Sequence, residues 1–486
     1  MAAGRNGITT GRRKVSPGKR TGQDGDDLKT QTDRDGRSRN APPGAPRNVH
    51  FLRAARAAAS PSYPPAGEVP AMNERKLAFL YSPEVEALSY PPDCPFKTQR
   101  AGCTRFRLKS LGLLGDGVGN TGAVHFEFEP RRASVAELKQ FHTAHYLEEI
   151  QRAADGDLTV EGLRMGFGEP DTPVFRNMFE CGAWACGAGL TAADLLLQGR
   201  ADIAFNLLGG FHHAFPDRAA GFCYLNDVAL ACLKLADAGK RVLYLDVDAH
   251  HGDGVQAAFY GRKDVMTISL HESGKTLFPW GGFEDELGEG AGLGYNVNVP
   301  LPAETYDDAF LEAFDAVAVP LAENFKPDVL VLELGMDILA GDPLTHLRMT
   351  NNVVVEIVER VMKLNCPILV AGGGGYHVEN TVRGWALAWR TFCGENDDCD
   401  FALGMGGVML ASTEWAGGLR DRVLPVSAAQ RAAVEPELRK TIETVINKAF
   451  RLHGLGAPSF EGATVPAGFA EPAIKQQQRK QHDHTT

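Results

Sequence analysis

Tyr244-Leu245-Asp246-Val247-Asp248-Ala249-His250-His251-Gly252-Asp253-Gly254 is the stretch from which the fold can be read. It opens as an apolar run and passes without a break into a polar loop punctuated by glycine, the profile of a buried strand whose carboxyl end carries chemistry. The pattern recurs along the chain. Candidate strands at 202–208, 241–247, 264–270, 328–334 and 367–370 each lead into a cluster of Gly, His or Asp. Amphipathic stretches near 134–152, 178–199, 226–238, 307–323, 353–364, 378–392 and 428–452 separate them. This alternation, with no linker-like break and no internal repeat, predicts one α/β domain over residues 75–455. Its central parallel β-sheet is flanked by helices, and its active site lies in loops at the strand carboxyl ends.

Composition narrows the class. A chain of 486 residues, 44% hydrophobic and 23% charged, is too long and too apolar for a disulfide-stapled mini-protein. Nine cysteines without a CxxC pair argue against a disulfide framework or a zinc ribbon and read as reduced thiols. No apolar run approaches the roughly 18 residues of a membrane span, and residues 1–30 lack a secretory core, so a cytoplasmic protein with no membrane association is expected. Residues 1–71, with 13 Lys/Arg against 6 Asp/Glu, 9 Gly and 8 Pro, predict a disordered basic N-terminal extension, Met72 opening the folded chain. Residues 464–486 predict a disordered C-terminal tail, whose His482 and His484 are not expected to be ligands. The balance of 37 basic against 55 acidic residues over 72–486 argues against direct nucleic-acid binding and suits a cationic substrate such as a basic peptide.

Four elements carry the chemistry. In the opening stretch, strand alternation is expected to direct Asp246, Asp248 and His250 to one side, where a carboxylate and an imidazole can converge on one cation. Loop caps and solvated turn residues are the plainer reading, and so many buried charges at a strand end count against it. Glu333-Leu334-Gly335-Met336-Asp337 follows a second strand, and Asp337 is either a third metal ligand or a loop cap. Two carboxylates and one His would leave a tetrahedral metal open to water, as a hydrolytic site requires. Leu207-Leu208-Gly209-Gly210-Phe211-His212-His213-Ala214 places tandem histidines beyond a strand end, suited to general base and proton donor, with Asp246 and Asp253 as orienting partners; two structural histidines are the alternative. Gly372-Gly373-Gly374-Gly375-Tyr376-His377 lacks the Lys-Ser/Thr of a phosphate loop and leaves Tyr376 on a mobile turn as a hydroxyl donor to an oxyanion.

These elements, in this order, resemble the histone deacetylase superfamily and its arginase/deacetylase fold over about residues 77–452. Further matches are Asp171-Thr172-Pro173-Val174-Phe175, Gly221-Phe222-Cys223-Tyr224-Leu225-Asn226-Asp227, Leu277-Phe278-Pro279 and Gly294-Tyr295-Asn296-Val297-Asn298-Val299-Pro300. The wording of 248–256 and of Glu272-Ser273-Gly274-Lys275 looks closer to the prokaryotic acetoin-utilisation branch. The resemblance implies Zn2+ on Asp248, His250 and Asp337, with Fe2+ as an alternative acceptable to O/N ligands. It also implies His212 and His213 as the histidine pair, Tyr376 polarising the acyl oxygen, and Asp171, Gly221, Phe222, Phe278 and Leu344 lining the substrate path. A structural K+ near Asp246, Asp248, His250, Ser269 and Leu270 is implied too. The expected activity is hydrolysis of acetyl-lysine in an acetylated protein or peptide.

Rivals remain. Binuclear manganese ureohydrolases look similar around Asp-Ala-His but need further carboxylates where Gly252 and Leu339 stand. A deacetylase of acetylated polyamines would want an acid at the rim position held by Leu344. A non-enzymatic acyl-lysine binding protein would not need Tyr376. Cys94 and Thr98 stand where relatives usually carry His and Pro, which leaves open whether Arg100 lines an internal acetate channel.

Overall fold

The computed structural model describes residues 75–115, 117–118, 123–395 and 418–456. The extensions expected at 1–71 and 464–486 lie outside the described residues. In chain order the strands are β1 Lys76–Leu80, β2 Gly117–Val118, β3 Val124–Phe128, β4 Ile203–Asn206, β5 Val242–Asp246, β6 Val265–Glu272, β7 Asn296–Leu301, β8 Val329–Glu333 and β9 Ile368–Ala371. They form one sheet in the order β2-β3-β1-β4-β9-β8-β5-β6-β7. Every pairing is parallel except that of the short edge strand β2 with β3.

The central strands are aliphatic throughout because both faces are covered, as parallel sheets require. Alternate residues feed different cores. Ala78, Leu80, Ala204, Tyr244, Val331 and Leu369 face a layer that includes the helices Met178–Leu197 (α1) and Asp227–Asp237 (α2). Leu77, Phe79, Phe205, Leu245, Leu332 and Val370 face one that includes Asn352–Met362 (α3), Val378–Phe392 (α4) and Ala428–Val445 (α5). Register aligns Asn206, Ala371, Glu333, Asp246, Ser269 and Asn298 in one row across the strand ends. Residues in such a row share a face, so the sheet gathers a line of polar side chains at its carboxyl edge.

The structure adds elements the sequence did not declare. β7 interleaves Asn with Val and carries Pro300, which interrupts the apolar run, and the proline is tolerated in a strand because β7 lies at the sheet edge. The stretch near 134–152 divides into Val135–Leu138 and Ala144–Ala154, each started by its own cap, Ser134 and Thr143. The stretch near 307–323 widens into a π turn at Phe314–Ala318, just before Pro320. Proline has no N–H and its ring crowds the preceding turn, which the wider turn relieves. Among the described residues no helix is long and apolar enough to cross a membrane, and eight cysteines are free thiols.

Candidate active site

The chemistry-bearing residues gather beyond β4, β5, β8 and β9. β5 ends at Asp246, so strand alternation cannot align the two residues beyond it, as had been expected. The loop does this instead. Asp248 N–H donates to Asp246 Oδ1 at 3.0 Å and His250 N–H to Asp248 Oδ1 at 2.9 Å. Each carboxylate closes a turn on the backbone two residues on, a habit of Asp. His251 diverges from its neighbour, lying 3.0 Å from Gln256 Oε1 and packing on His271.

Asp337 approaches from the loop after β8. His250 Nδ1 lies 2.9 Å from Asp337 Oδ2 and 3.2 Å from Asp248 Oδ1. One ligand atom from each of the three lies within 4.8 Å of the others, the single such group among the described residues, and all three are buried. Asp337 Oδ1 accepts from Ala249 N–H at 2.9 Å and Asp248 Oδ2 from Gly374 N–H at 2.6 Å. A β-carbon at Gly335 would stand 2.1 Å from Asp248 Oδ2, and one at Gly374 the same 2.1 Å from Asp337 Oδ2. Glycine is therefore what lets backbone close around the carboxylates. Burial opposes protonation of His250, but Asp248 and Asp337 outweigh it and push its pKa up to about 10; burial and then the Asp248 charge push Asp337 up to about 7. A dry pocket with two carboxylates facing one imidazole favours positive charge at its centre, and the O,N,O donor set fits a divalent cation. It has no room for a second acid at 252, where a β-carbon would stand 2.4 Å from Asp246 Oδ2.

His212 and His213 are positioned by Asp227, the first residue of α2, whose carboxylate accepts from Gly210 N–H at 3.1 Å and Phe211 N–H at 2.8 Å. Each imidazole has its own acid: His212 Nδ1 lies 3.0 Å from Asp246 Oδ2, and His213 Nδ1 lies 2.8 Å from Asp253 Oδ1. Their Nε2 atoms are 3.0 Å apart, close enough to share one proton. Burial lowers the pKa of both. At His212 the charges of Asp246 and Asp248 more than reverse it, raising that pKa well above the imidazole value, while at His213 the His212 charge adds to burial and brings it to about 4. These opposite shifts favour the extra proton on His212 over His213.

Tyr376 stands on a turn that is braced, not mobile as expected. Arg100 donates to Gly375 O at 2.8 Å and Gly373 O at 2.9 Å, its guanidinium lying 4.5 Å from the Phe96 ring centre and 4.9 Å from that of Trp385. Asp342 Oδ2 accepts from Tyr376 N–H at 2.7 Å. The phenol ring meets His250 edge-on at 6.2 Å and Phe222 at 5.7 Å. Burial, then Asp337 and Asp248, raise the phenol pKa, so the hydroxyl remains a donor. Phe278 packs on His213 at 5.1 Å. Asp171 Oδ2 accepts from Gly221 N–H at 2.8 Å and its carbonyl from Phe222 N–H at 2.9 Å, so Asp171 braces the aromatic wall. Leu344 is half-buried, its N–H on Asp342 Oδ1 at 3.0 Å, in the loop that also holds Tyr376. Ser269 lies opposite Asp246 in register with its hydroxyl 2.8 Å from His271 Nδ1, and Leu270 is the next residue of β6.

Several residues that shape the site were missed. Asn226-Asp227 before an apolar run is a helix-start signature that could have flagged Asp227, and Asn226 does cap α2 through Ala229 N–H at 2.8 Å. Asp342-Pro343 is a turn signature. Arg100, which the sequence left open as the lining of an internal channel, lines a small cavity with Phe96, Thr98, Leu207 and Phe211. Glu333 heads the second motif but was given no role; it is fully buried, with no hydrogen-bond partner on either oxygen.

Residues 95–392 match the histone deacetylase domain. The chain is 42% identical over 323 residues to the acetoin utilization protein AcuC of Bacillus subtilis, covering 65% of this chain and 81% of that protein. It is 40% identical over 280 residues to histone deacetylase 8 of Xenopus laevis, covering 56% and 86%. The crystal structure of an HDAC homolog complexed with SAHA superposes with a TM-score of 0.65 at 31% identity, covering 77% of this chain and all, 100%, of that one.

Proposed function

The chain belongs to the histone deacetylase family, and from that premise we propose that it is a metal-dependent lysine deacetylase, hydrolysing acetyl-lysine in protein or peptide substrates to lysine and acetate. The observation that carries this reading is the buried Asp248, His250 and Asp337 group set beside the His212–His213 pair and Tyr376. Zn2+ or Fe2+ held by those three would supply Lewis acidity to the acyl oxygen and bring the pKa of the attacking water from 15.7 towards about 7.

The remaining work falls to the chain's own groups. His213, neutral and oriented by Asp253, accepts the water proton at Nε2 and returns it to the lysine Nζ as the C–N bond breaks. His212, charged and anchored by Asp246, stabilises the negative charge that develops on the acyl group. The Tyr376 hydroxyl donates to the same oxygen. Phe222 and Phe278 flank the lysine stem, where each buried methylene is worth about 0.8 kcal/mol. Asp171 holds Gly221 and Phe222 in place and presents a carboxylate at the rim to the substrate backbone. K+ near Asp246, Asp248, His250, Ser269 and Leu270 would stiffen the loop after β5.

The test is turnover of an acetyl-lysine peptide by zinc-loaded protein, beside acetylputrescine and beside the Asp337→Ala and Tyr376→Phe variants. Peptide hydrolysis lost in both variants supports the reading. Turnover of acetylputrescine alone would replace it with a small-amine deacetylase, and metal binding without turnover of either would point to a different acyl group or a binding role.

A further inference from the structure

We propose that Trp280 forms a subsite at the tunnel mouth for a cationic side chain, arginine or lysine, that neighbours the acyl-lysine in a peptide substrate. Trp280 is 63% exposed and stands two residues beyond Phe278, whose ring packs on His213. Its φ of 66° is a left-handed conformation that glycine adopts freely and a β-carbon makes costly. Yet the largest side chain occupies the position and is left in water, where it adds little to the core. A strained aromatic facing solvent beside a reaction site points to recognition.

The turn beneath the indole is fixed. Trp280 N–H donates to Leu277 O at 3.2 Å. His271 Nε2 lies 2.9 Å from Gly282 O, and a β-carbon at Gly274 would meet the Trp280 carbonyl carbon at 2.9 Å. The indole is thus presented on backbone that has little freedom to fold it away.

Lys275, on the turn packed against Trp280, is paired with Glu437 at 3.4 Å. Glu284 and Asp285 follow four and five residues on; Glu284 Oε1 accepts from the Thr441 hydroxyl at 3.4 Å, and among the described residues neither acid forms an ion pair with Lys or Arg. Glu286, by contrast, is occupied by Phe283 N–H at 2.8 Å and Gln256 Nε2 at 2.6 Å. An exposed, electron-rich indole face attracts a cation, and a guanidinium can stack on it as well. The acidic balance of residues 72–486, with 37 basic against 55 acidic side chains, draws a basic peptide in the same direction.

This inference rests on the acyl-lysine reading of the tunnel, and its test separates the two. Labelled acetyl-lysine peptides, identical except for Arg, Ala or Glu beside the acetyl-lysine, are titrated by fluorescence anisotropy with wild-type protein, Trp280→Ala and Trp280→Phe, at low and high salt. The wild type should bind the Arg peptide about two- to fivefold more tightly than the Ala peptide, and the Glu peptide most weakly. Trp280→Ala should remove most of that ratio and Trp280→Phe keep part of it, with the effect in turnover falling on KM and not on kcat. Equal affinity for the Arg and Ala peptides, or an Arg preference that survives Trp280→Ala, overturns the subsite. The preference without hydrolysis upholds the subsite and sinks the deacetylase reading; hydrolysis without the preference does the reverse. No binding of any peptide overturns both.

Discussion

Single side chains here differ sharply in what they contribute to folding and to chemistry. The Tyr376 ring meets His250 edge-on at 6.2 Å while its backbone is held by Asp342, so Tyr376→Phe should leave the melting temperature nearly unchanged. Removal of one oxyanion donor typically costs about 10²–10³ in kcat, and single-turnover kinetics would register that loss. Glu333 is the opposite case, a buried acid with both oxygens unpartnered. Burial raises its pKa well above the carboxylate range; His212 pulls it back, and Asp246, Asp227 and Asp248 push it up again. The unfolded chain releases this proton near the ordinary Glu pKa while the folded chain keeps it. The folded state therefore binds more protons, and stability contributed by this group is present at low pH and lost as pH rises, by about 1.4 kcal/mol per unit until the folded pKa is reached. Glu333→Gln keeps the shape without the ionisation, so the variant should gain in melting temperature relative to wild type between about pH 5 and pH 8. A difference that stays flat over that window would mean that Glu333 is ionised in the folded protein.

At the scale of elements, the starts of helices and the glycine turn do the positioning. Asn226 caps α2 through Ala229 N–H at 2.8 Å and donates to Ala214 O at 2.9 Å. Asn226→Ala should cost about 1–2 kcal/mol in denaturant titration. It should also lower kcat, because Asp227 beside it holds the loop that bears His212 and His213; a stability loss with kcat intact would contradict that link. The turn 372–375 is as demanding. A β-carbon at Gly374 would meet Asp337 Oδ2 at 2.1 Å and Asp248 Oδ2 at 2.9 Å. Gly374→Ala should therefore lower bound metal per chain in atomic-absorption analysis while circular dichroism stays that of the wild type.

Taken whole, the molecule concentrates acids at the carboxyl edge of its sheet and offsets them with few cations. Added Zn2+ should raise the melting temperature, since a ligand at a hundred times its Kd stabilises by about 2.7 kcal/mol, and Asp248→Ala should abolish that gain. Sequence alone determined much of this framework. Strand 241–247 and the aliphatic runs near 328 and 367 are local patterns, set by which residues tolerate burial on both faces of a sheet, and so is the habit of placing Gly, His and Asp just beyond them. β7 was not among the candidate strands because Pro300 and the asparagines interrupt its apolar run, whereas its place at the sheet edge is a property of the assembled sheet. Only the tertiary structure set His250 against Asp337 and His251 against Gln256, and shifted the His212 and His213 pKa values in opposite directions. It alone turned Arg100 into the brace of the Tyr376 turn and placed Glu333 without a partner. Those outcomes depend on through-space distance and desolvation between segments as far apart as Asp248 and Gly374, 126 residues distant in the chain, and neither periodicity nor spacing along a sequence carries that information.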